Sequence, residues 1–179
     1  ISWFKDYYQT TPYKAYQTII STKKIRKLED DNSNSKIIPP DFELTKEQKS
    51  AIKMVLDCKK NSDKQANSCK TFLLHGITAS GKTEVYMQVA ENIINEGQSA
   101  IILVPEIALT PQYTRIFQER FGTKISVIHS NLTPREREIE WNRIYQGHAN
   151  IVIGPRSAIF APLKNIGLIV IDEEQETSY

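Results

Sequence analysis

Residues 71–83 read TFLLHGITASGKT, an apolar run followed by a loop that begins and ends in glycine and is closed by lysine and threonine. The apolar run predicts a strand over Thr71–His75, and the residues after the loop predict a helix over Lys82–Asn95 that ends at Gly97. The loop fits the pattern G-x-x-x-x-G-K-[ST], whose glycines let successive backbone N–H groups point at phosphate oxygens. Because the loop follows a predicted strand and opens a predicted helix, this stretch predicts a nucleotide phosphate site.

The loop and the first helical turn supply the candidate residues for nucleotide binding. Lys82 is expected to reach the β- and γ-phosphates, and Thr83 is expected to coordinate Mg²⁺ through its hydroxyl. Ala79 stands where a further glycine would give the backbone more freedom, so some conformations with positive φ are excluded there although the match is kept. The expected nucleotide-binding residues are Gly76, Thr78, Ala79, Ser80, Gly81, Lys82, Thr83 and Glu84.

A second signal is the sequence LIVIDEE at residues 168–174. Its apolar residues predict a buried strand over Leu168–Ile171, and Asp172 then falls at the carboxyl end of that strand, where ligands of open α/β sheets bind. Asp172 is expected to hold Mg²⁺, directly or through water, and Glu173 to orient and deprotonate an attacking water, which favours a hydrolase over a kinase. An acidic cluster is otherwise typical of a solvated turn, the interpretation kept for Glu174 and Glu176. The candidate catalytic residues are Lys82, Asp172 and Glu173.

The rest of the chain after residue 40 alternates short apolar runs with amphipathic segments. The predicted strands are Thr71–His75, Ala100–Val104, Lys124–Ile128, Asn150–Ile153 and Leu168–Ile171. Two of the predicted helices begin at capping boxes, on Thr45 and Thr133, and the other two begin at Lys82 and Pro111. The helix that begins at Pro111 ends at Gly122, and the helix that begins at Thr133 ends at Gly147. A polar loop is expected over Lys59–Lys70. The strands lack polar alternation, so the fold class is α/β: a parallel sheet with helices on both faces.

The first forty residues differ from the rest in charge and composition. They hold seven Lys and Arg against four Asp and Glu, which leaves 16 basic and 17 acidic residues for positions 41–179. The positive charge is concentrated over Lys23–Lys27, and six aromatic residues precede it in the same segment. This combination suits either a platform on which bases stack or one helix face that packs on a core. The aromatic residues are Trp3, Phe4, Tyr7, Tyr8, Tyr13 and Tyr16. Residues 29–40 are polar, end in two prolines and read as a linker.

Several classes of protein are excluded by composition. No apolar run approaches the roughly 20 residues of a membrane span, and no secretory signal is visible, so a cytoplasmic protein without membrane contact is expected. Cys58 and Cys69 have neither a disulfide pattern nor zinc spacing, and three histidines in separate segments show no metal-ligand spacing. The chain begins with Ile1 and stops at Tyr179, directly after the acidic cluster, and we expect it to be a piece of a larger protein.

Four segments resemble the PriA family of replication-restart helicases, which are superfamily-two DNA helicases; they are Phe72–Tyr86, Leu103–Gln112, Gly154–Pro162 and Asp172–Glu174. The resemblance implies that residues 41–179 are the first of two RecA-like P-loop NTPase lobes, truncated after the acidic strand. It implies ATP and Mg²⁺ as cofactors and 3′→5′ DNA helicase activity in the primosome. It also implies single-stranded and forked DNA, other primosome proteins and single-stranded-DNA-binding protein as partners. Without the second lobe, the chain is expected to hydrolyse ATP slowly or not at all.

The resemblance also assigns individual residues. Gln48 matches a glutamine that reads adenine in related helicases, and its rival role is partner in the Thr45 capping box. Arg156 could pair with phosphate or be a plain surface residue. The segments that match contacts to single-stranded DNA contain Pro105, Glu106, Arg156 and Ser157.

Two residues depart from the family pattern, and the N-terminal region is shorter than the resemblance would require. Gln175 stands where the family usually has histidine, so the coupling of hydrolysis to DNA is expected to be altered rather than lost. Pro155 stiffens the loop that holds Arg156. Residues 1–40 resemble the remnant of a winged-helix-like DNA-binding region plus a linker. The resemblance implies zinc only in parts of the parent protein beyond this chain, and Cys58 and Cys69 do not match the family's zinc-binding cysteines. A protein that mainly recognises DNA structure and assembles the primosome, with nucleotide as a switch, is the alternative function.

Overall fold

The computed structural model describes residues 43–62, 70–77 and 79–176, with side chains described for residues 43–59 in the first of these ranges. The predictions for the aromatic residues, the basic cluster and the linker of residues 1–40 lie outside the described residues, as does Thr78. The described part falls into two compact units, one within Pro39–Gly97 and one within Gln98–Tyr179. A boundary at residue 40 stays a prediction. None of the helices described is long and apolar enough to cross a membrane.

The unit within Gln98–Tyr179 is built on a four-stranded parallel sheet. Its strands are β1 (Ser99–Leu103), β2 (Ile125–Val127), β3 (Ile151–Gly154) and β4 (Ile166–Ile171). They lie in the order β2-β3-β1-β4, and the register pairs Ile101 of β1 with Val152 of β3 and with Ile169 of β4. Each predicted strand of this unit is confirmed within two residues, because a continuous apolar run between turn residues is the signature of a strand covered on both faces.

Two helices cover this sheet, α3 (Pro111–Phe121) between β1 and β2 and α4 (Pro134–Gln146) between β2 and β3. The chain crosses the sheet in one direction through α3 and in the opposite direction through α4. Since parallel crossovers are right-handed, the two helices lie on opposite faces. The strands β1 and β3 are buried along their whole length. The predicted parallel sheet with helices on both faces is therefore confirmed.

The core of this unit is apolar and closely packed. Ile144 of α4 belongs to a buried cluster with Ile101 and Val152 of the central strands. From α3, Phe117 and Phe121 are fully buried, with ring centroids 6.4 Å apart. Burying each such side chain stabilises the fold by roughly 1.5–3 kcal/mol relative to leaving it in water. This packing holds the carboxyl ends of the strands in place.

Local signals fix the ends of α3 and α4. The Thr110 hydroxyl caps α3 by accepting from the Tyr113 N–H at 3.2 Å, and Gly122 ends that helix with φ of 55°. In α4 the Thr133 hydroxyl donates to Glu136 Oε2 at 2.7 Å and its backbone N–H donates to the same oxygen at 2.8 Å. These two bonds lower the pKa of the Glu136 carboxyl, since they favour its charged form. The predicted capping box and helix ends are confirmed.

The unit within Pro39–Gly97 contains helices α1 (Lys46–Ser62) and α2 (Lys82–Asn95). The bounds of α2 agree with the prediction, and Gly97 follows it with φ of 76° in the left-handed region that suits glycine. Lys59 of α1 forms an ion pair with Glu96, the residue that directly follows α2. The predicted polar loop over Lys59–Lys70 is wrong at its start, because α1 continues through Ser62.

The predicted strand over Thr71–His75 is also wrong: the segment has no regular secondary structure. Phe72 is 40% exposed and Leu73 is 77% exposed. A strand needs a neighbour that takes up its backbone hydrogen bonds, and the described residues of this unit contain only helices. The predicted burial of Leu168–Ile171 is correct only in part. The strand β4 lies at the edge of its sheet, and Ile169 and Ile171 are exposed there.

Candidate functional site

Two of the described residues of the glycine-bounded loop are in the left-handed conformation. Ala79 has φ of 61° and Gly81, directly before α2, has φ of 80°. The left-handed conformation costs a residue with a Cβ about 1–2 kcal/mol, and such residues are concentrated at functional sites. At Ala79 the structure therefore keeps a local strain that a glycine would relieve.

The two glycines of the loop stand where other chain atoms approach closely. A Cβ at Gly76 would lie 2.6 Å from the Ser80 Oγ, and a Cβ at Gly81 would overlap the amide nitrogen of Gln48. Only glycine fits both positions without moving a neighbour. Gly76 thus lies against Ser80 of the same loop, and Gly81 lies against Gln48 of α1.

Lys82, the first residue of α2, holds its ammonium group over this loop. Its Nζ donates to the carbonyl oxygens of Gly76, at 2.7 Å, and Ile77, at 2.9 Å. Thr83 and Glu84 follow in the first turn, where the positive end of the helix dipole lies. The Glu84 carboxylate accepts from the Gln88 amide at 2.8 Å, one turn along the helix. The Lys82 ammonium and the positive end of the helix dipole therefore both lie at the start of α2.

Gln48 on α1 contacts both its own capping box and the loop. Its Oε1 accepts from the Thr45 N–H at 2.9 Å, while its Nε2 lies 3.5 Å from the carbonyl oxygen of Gly81. The capping-box role that the sequence allowed is thus observed. The role of reading adenine stays a prediction, and the position of the amide beside Gly81 is compatible with both roles.

In the unit within Gln98–Tyr179, the carboxyl ends of the four strands lie side by side. Because all four strands are parallel, the segments that follow them meet at this carboxyl edge. Short 3-10 helices follow β1, at Glu106–Ala108, and β3, at Arg156–Phe160. Of the residues predicted to contact DNA, Glu106, Arg156 and Ser157 are exposed, whereas Pro105 is buried. The acidic residues follow β4, so Arg156 is separated from them by the width of β1.

Asp172 is held at the end of β4 by hydrogen bonds from three directions. Its N–H donates to the Leu103 carbonyl oxygen at 2.9 Å. Its Oδ1 accepts from the Glu173 N–H at 3.1 Å and its Oδ2 accepts from the Tyr113 hydroxyl at 3.2 Å. Glu173 has φ of 51°, a left-handed conformation that is uncommon for a residue with a side chain. This turn is therefore ordered, with the Glu173 side chain exposed.

Tyr113 was missed by reasoning from the sequence. It lies 59 positions before Asp172, and no local pattern joins the two residues. The pairing follows from the sheet order, which sets β1 beside β4 and so brings the start of α3 to the end of β4. A signal existed in part, since an aromatic residue near the start of a helix that follows a central strand can reach the strand ends.

Two of the predicted site residues, Asp172 and Thr83, carry oxygen donors of the kind that Mg²⁺ prefers. Among the described residues, no group of three or more His, Cys, Asp and Glu side chains is arranged to hold a metal. Mg²⁺ is usually bound through one or two protein oxygens together with substrate phosphates and water. The Asp172 carboxylate and the Thr83 hydroxyl are donors of that kind.

Comparisons with known proteins agree with these features. Residues 45–179 match the family described as DEAD/DEAH box helicase. The chain is 48% identical over 136 residues to Replication restart protein PriA of Bacillus subtilis (strain 168), covering 76% of the chain and 16% of the relative. It is 43% identical over 171 residues to the protein of that name from Synechocystis sp., covering 96% of the chain and 19% of the relative. The chain thus spans well under a third of the length of these relatives.

Proposed function

The chain belongs to the DEAD/DEAH box helicase family, and we propose that it is the ATP-binding lobe of a 3′→5′ DNA helicase that acts in replication restart. The proposal is carried by the Lys82 ammonium, which lies on the carbonyls of Gly76 and Ile77 in a glycine-bounded loop at a helix start. The relatives named for replication restart support the cellular role. A cytoplasmic location and the partners given above, single-stranded and forked DNA, primosome proteins and single-stranded-DNA-binding protein, belong to the same proposal.

We propose that the loop binds the phosphates of ATP. Lys82 exchanges two neutral carbonyl acceptors for phosphate oxygens, and hydrogen bonds between charged partners are roughly twice as strong as neutral ones. The backbone N–H groups at the start of α2 and the positive end of its dipole favour the same anion. The proposed nucleotide-binding residues are Gly76, Thr78, Ala79, Ser80, Gly81, Lys82, Thr83 and Glu84, with Gln48 at the adenine.

We further propose that Asp172 and Thr83 supply oxygen ligands to Mg²⁺. The ion, when bound, would neutralise charge on the phosphates and polarise them. Glu173 acts as the base: its exposed carboxylate follows Asp172 directly and can hold and deprotonate a water molecule. The ordered turn at Asp172 keeps both carboxylates at the end of β4.

DNA is proposed to bind along the strand ends that lie away from the acidic turn. The phosphate backbone of a single strand is repelled by Asp172 and its acidic neighbours and attracted to the exposed Arg156 after β3. Ser157 can donate to phosphate, and Pro105 and Glu106 border the same track after β1.

Replacing Arg156 with alanine is expected to weaken binding of a single-stranded oligonucleotide by up to about fivefold, the value of one exposed charge contact. The slope of log affinity against log salt should fall by roughly 0.7, because one fewer counterion is released. Fluorescence anisotropy at several salt concentrations measures both quantities. The control is Lys164→Ala, which removes one exposed positive charge beside the amino end of β4 and should change neither value. Equal effects in the two variants would contradict a specific contact at Arg156.

The function is tested with the full-length protein on duplexes that carry either a 3′ or a 5′ single-stranded tail. We expect ATP-dependent unwinding of the 3′-tailed duplex, and strong stimulation of ATP turnover by forked DNA. Unwinding from the 5′ tail alone would overturn the proposed polarity. ATP binding without DNA-stimulated turnover would favour the alternative, a nucleotide-switched platform that recognises DNA structure and assembles the primosome. That alternative is motivated by Gln175 in place of the histidine of the family pattern.

A further inference from the structure

Tyr113 is held rigidly at the third position of α3. Its backbone N–H donates to the Thr110 hydroxyl at 3.2 Å. Its ring packs against Phe117, with centroids 5.1 Å apart, and Phe117 is fully buried beside Phe121. The backbone of Tyr113 is thus held by the cap of α3, and its ring by a buried residue of the core.

The tyrosine hydroxyl is directed at one of the candidate catalytic residues. It donates to Asp172 Oδ2 at 3.2 Å, while Asp172 Oδ1 accepts from the Glu173 N–H at 3.1 Å. An ionised carboxylate has about four acceptor positions, so its oxygens can accept from several groups at once. The carboxylate plane is therefore set by donors from two elements, α3 and the turn after β4.

We propose that Tyr113 is a positioning residue that holds Asp172 in the orientation needed to bind Mg²⁺ with the nucleotide. This inference rests on the proposed function of Asp172. Groups that hydrogen-bond to metal ligands orient them, and removing such a group typically costs 10–100-fold in metal affinity or activity. The competing role for Tyr113 is packing alone, for which the ring is sufficient and the hydroxyl is dispensable.

The two roles are separated by Tyr113→Phe in the full-length protein, because phenylalanine keeps the ring on Phe117 and removes only the donor to Asp172. Mn²⁺ binding in the presence of ADP is measured by electron paramagnetic resonance of the free ion. We expect Mn²⁺ affinity to fall by about tenfold, while ADP affinity in EDTA stays unchanged. In turnover assays, the Mg²⁺ concentration for half-maximal rate should rise, and excess Mg²⁺ should restore kcat.

Two further variants make each outcome decisive. Tyr145→Phe removes the hydroxyl of an exposed tyrosine on α4 of the same unit and should leave Mn²⁺ affinity unchanged. Asp172→Asn should remove most of the Mn²⁺ affinity. If Asp172→Asn does so and Tyr113→Phe binds Mn²⁺ like the wild type, Tyr113 only packs and the inference is overturned while the proposed function stands. If Asp172→Asn also binds normally, Asp172 is not a metal ligand, and both assignments fail.

Discussion

Replacing Lys82 with alanine is expected to lower kcat for ATP hydrolysis by roughly 10²–10³-fold, the usual cost of removing one preorganised charge from a transition state. The Lys82 ammonium is hydrogen-bonded to the carbonyl oxygens of Gly76 and Ile77. The loop itself contains no basic residue that could replace this charge. Nucleotide affinity should fall as well, because the ammonium contacts phosphate in the ground state. Steady-state ATP turnover and a titration with fluorescent Mg-ADP measure the two effects in the full-length protein.

The matched control for this variant is Lys46→Ala. Lys46 is the first residue of α1, as Lys82 is the first residue of α2, and it is exposed. The control removes the same charge from the same position in a neighbouring helix and should leave turnover within about twofold of the wild type. A Lys82→Ala protein that still unwinds forked DNA at full rate would refute the phosphate-binding assignment.

Features of this lobe that depend on neighbouring residues could be predicted from the sequence. The capping boxes at Thr45 and Thr133 each involve residues three positions apart, so their hydrogen bonds can be predicted from neighbouring residues alone. The strands β1 and β3 followed from their apolar runs for the same reason. The bond from the Lys82 ammonium to the Gly76 carbonyl is also local, since it spans six residues, whereas the approach of Gln48 to Gly81 spans 33 residues and is not.

Features that depend on distant partners were missed or misjudged. The run at Thr71–His75 has the composition of a strand, but backbone pairing needs a neighbour, and composition does not supply one. The exposure of β4 follows from its place at the sheet edge, which is set by strand order. Tyr113 reaches Asp172 only through that order. The non-local contacts of the candidate site therefore required the structure.

The second large effect is expected for Glu173→Gln, which should reduce kcat by about 10²–10⁴-fold through loss of the general base. Glutamine has nearly the same shape, so the left-handed backbone at this position and the bond from its N–H to Asp172 should be kept. ATP affinity should consequently remain near the wild-type value. Binding without hydrolysis, measured by nucleotide titration and by turnover in parallel, is the signature of a lost base.

Glu174→Gln is the matched control, because it removes the same charge from the adjacent exposed residue. If Glu173 acts as a base, only its own replacement lowers kcat, since proton transfer requires a group within hydrogen-bonding distance of the water. If the acidic turn acted through its overall field, both variants would lose activity to a similar extent, and the losses would shrink at high salt. Equal losses would therefore assign the turn an electrostatic role and leave the base to be found elsewhere, whereas a loss confined to Glu173→Gln supports direct water activation at the end of β4.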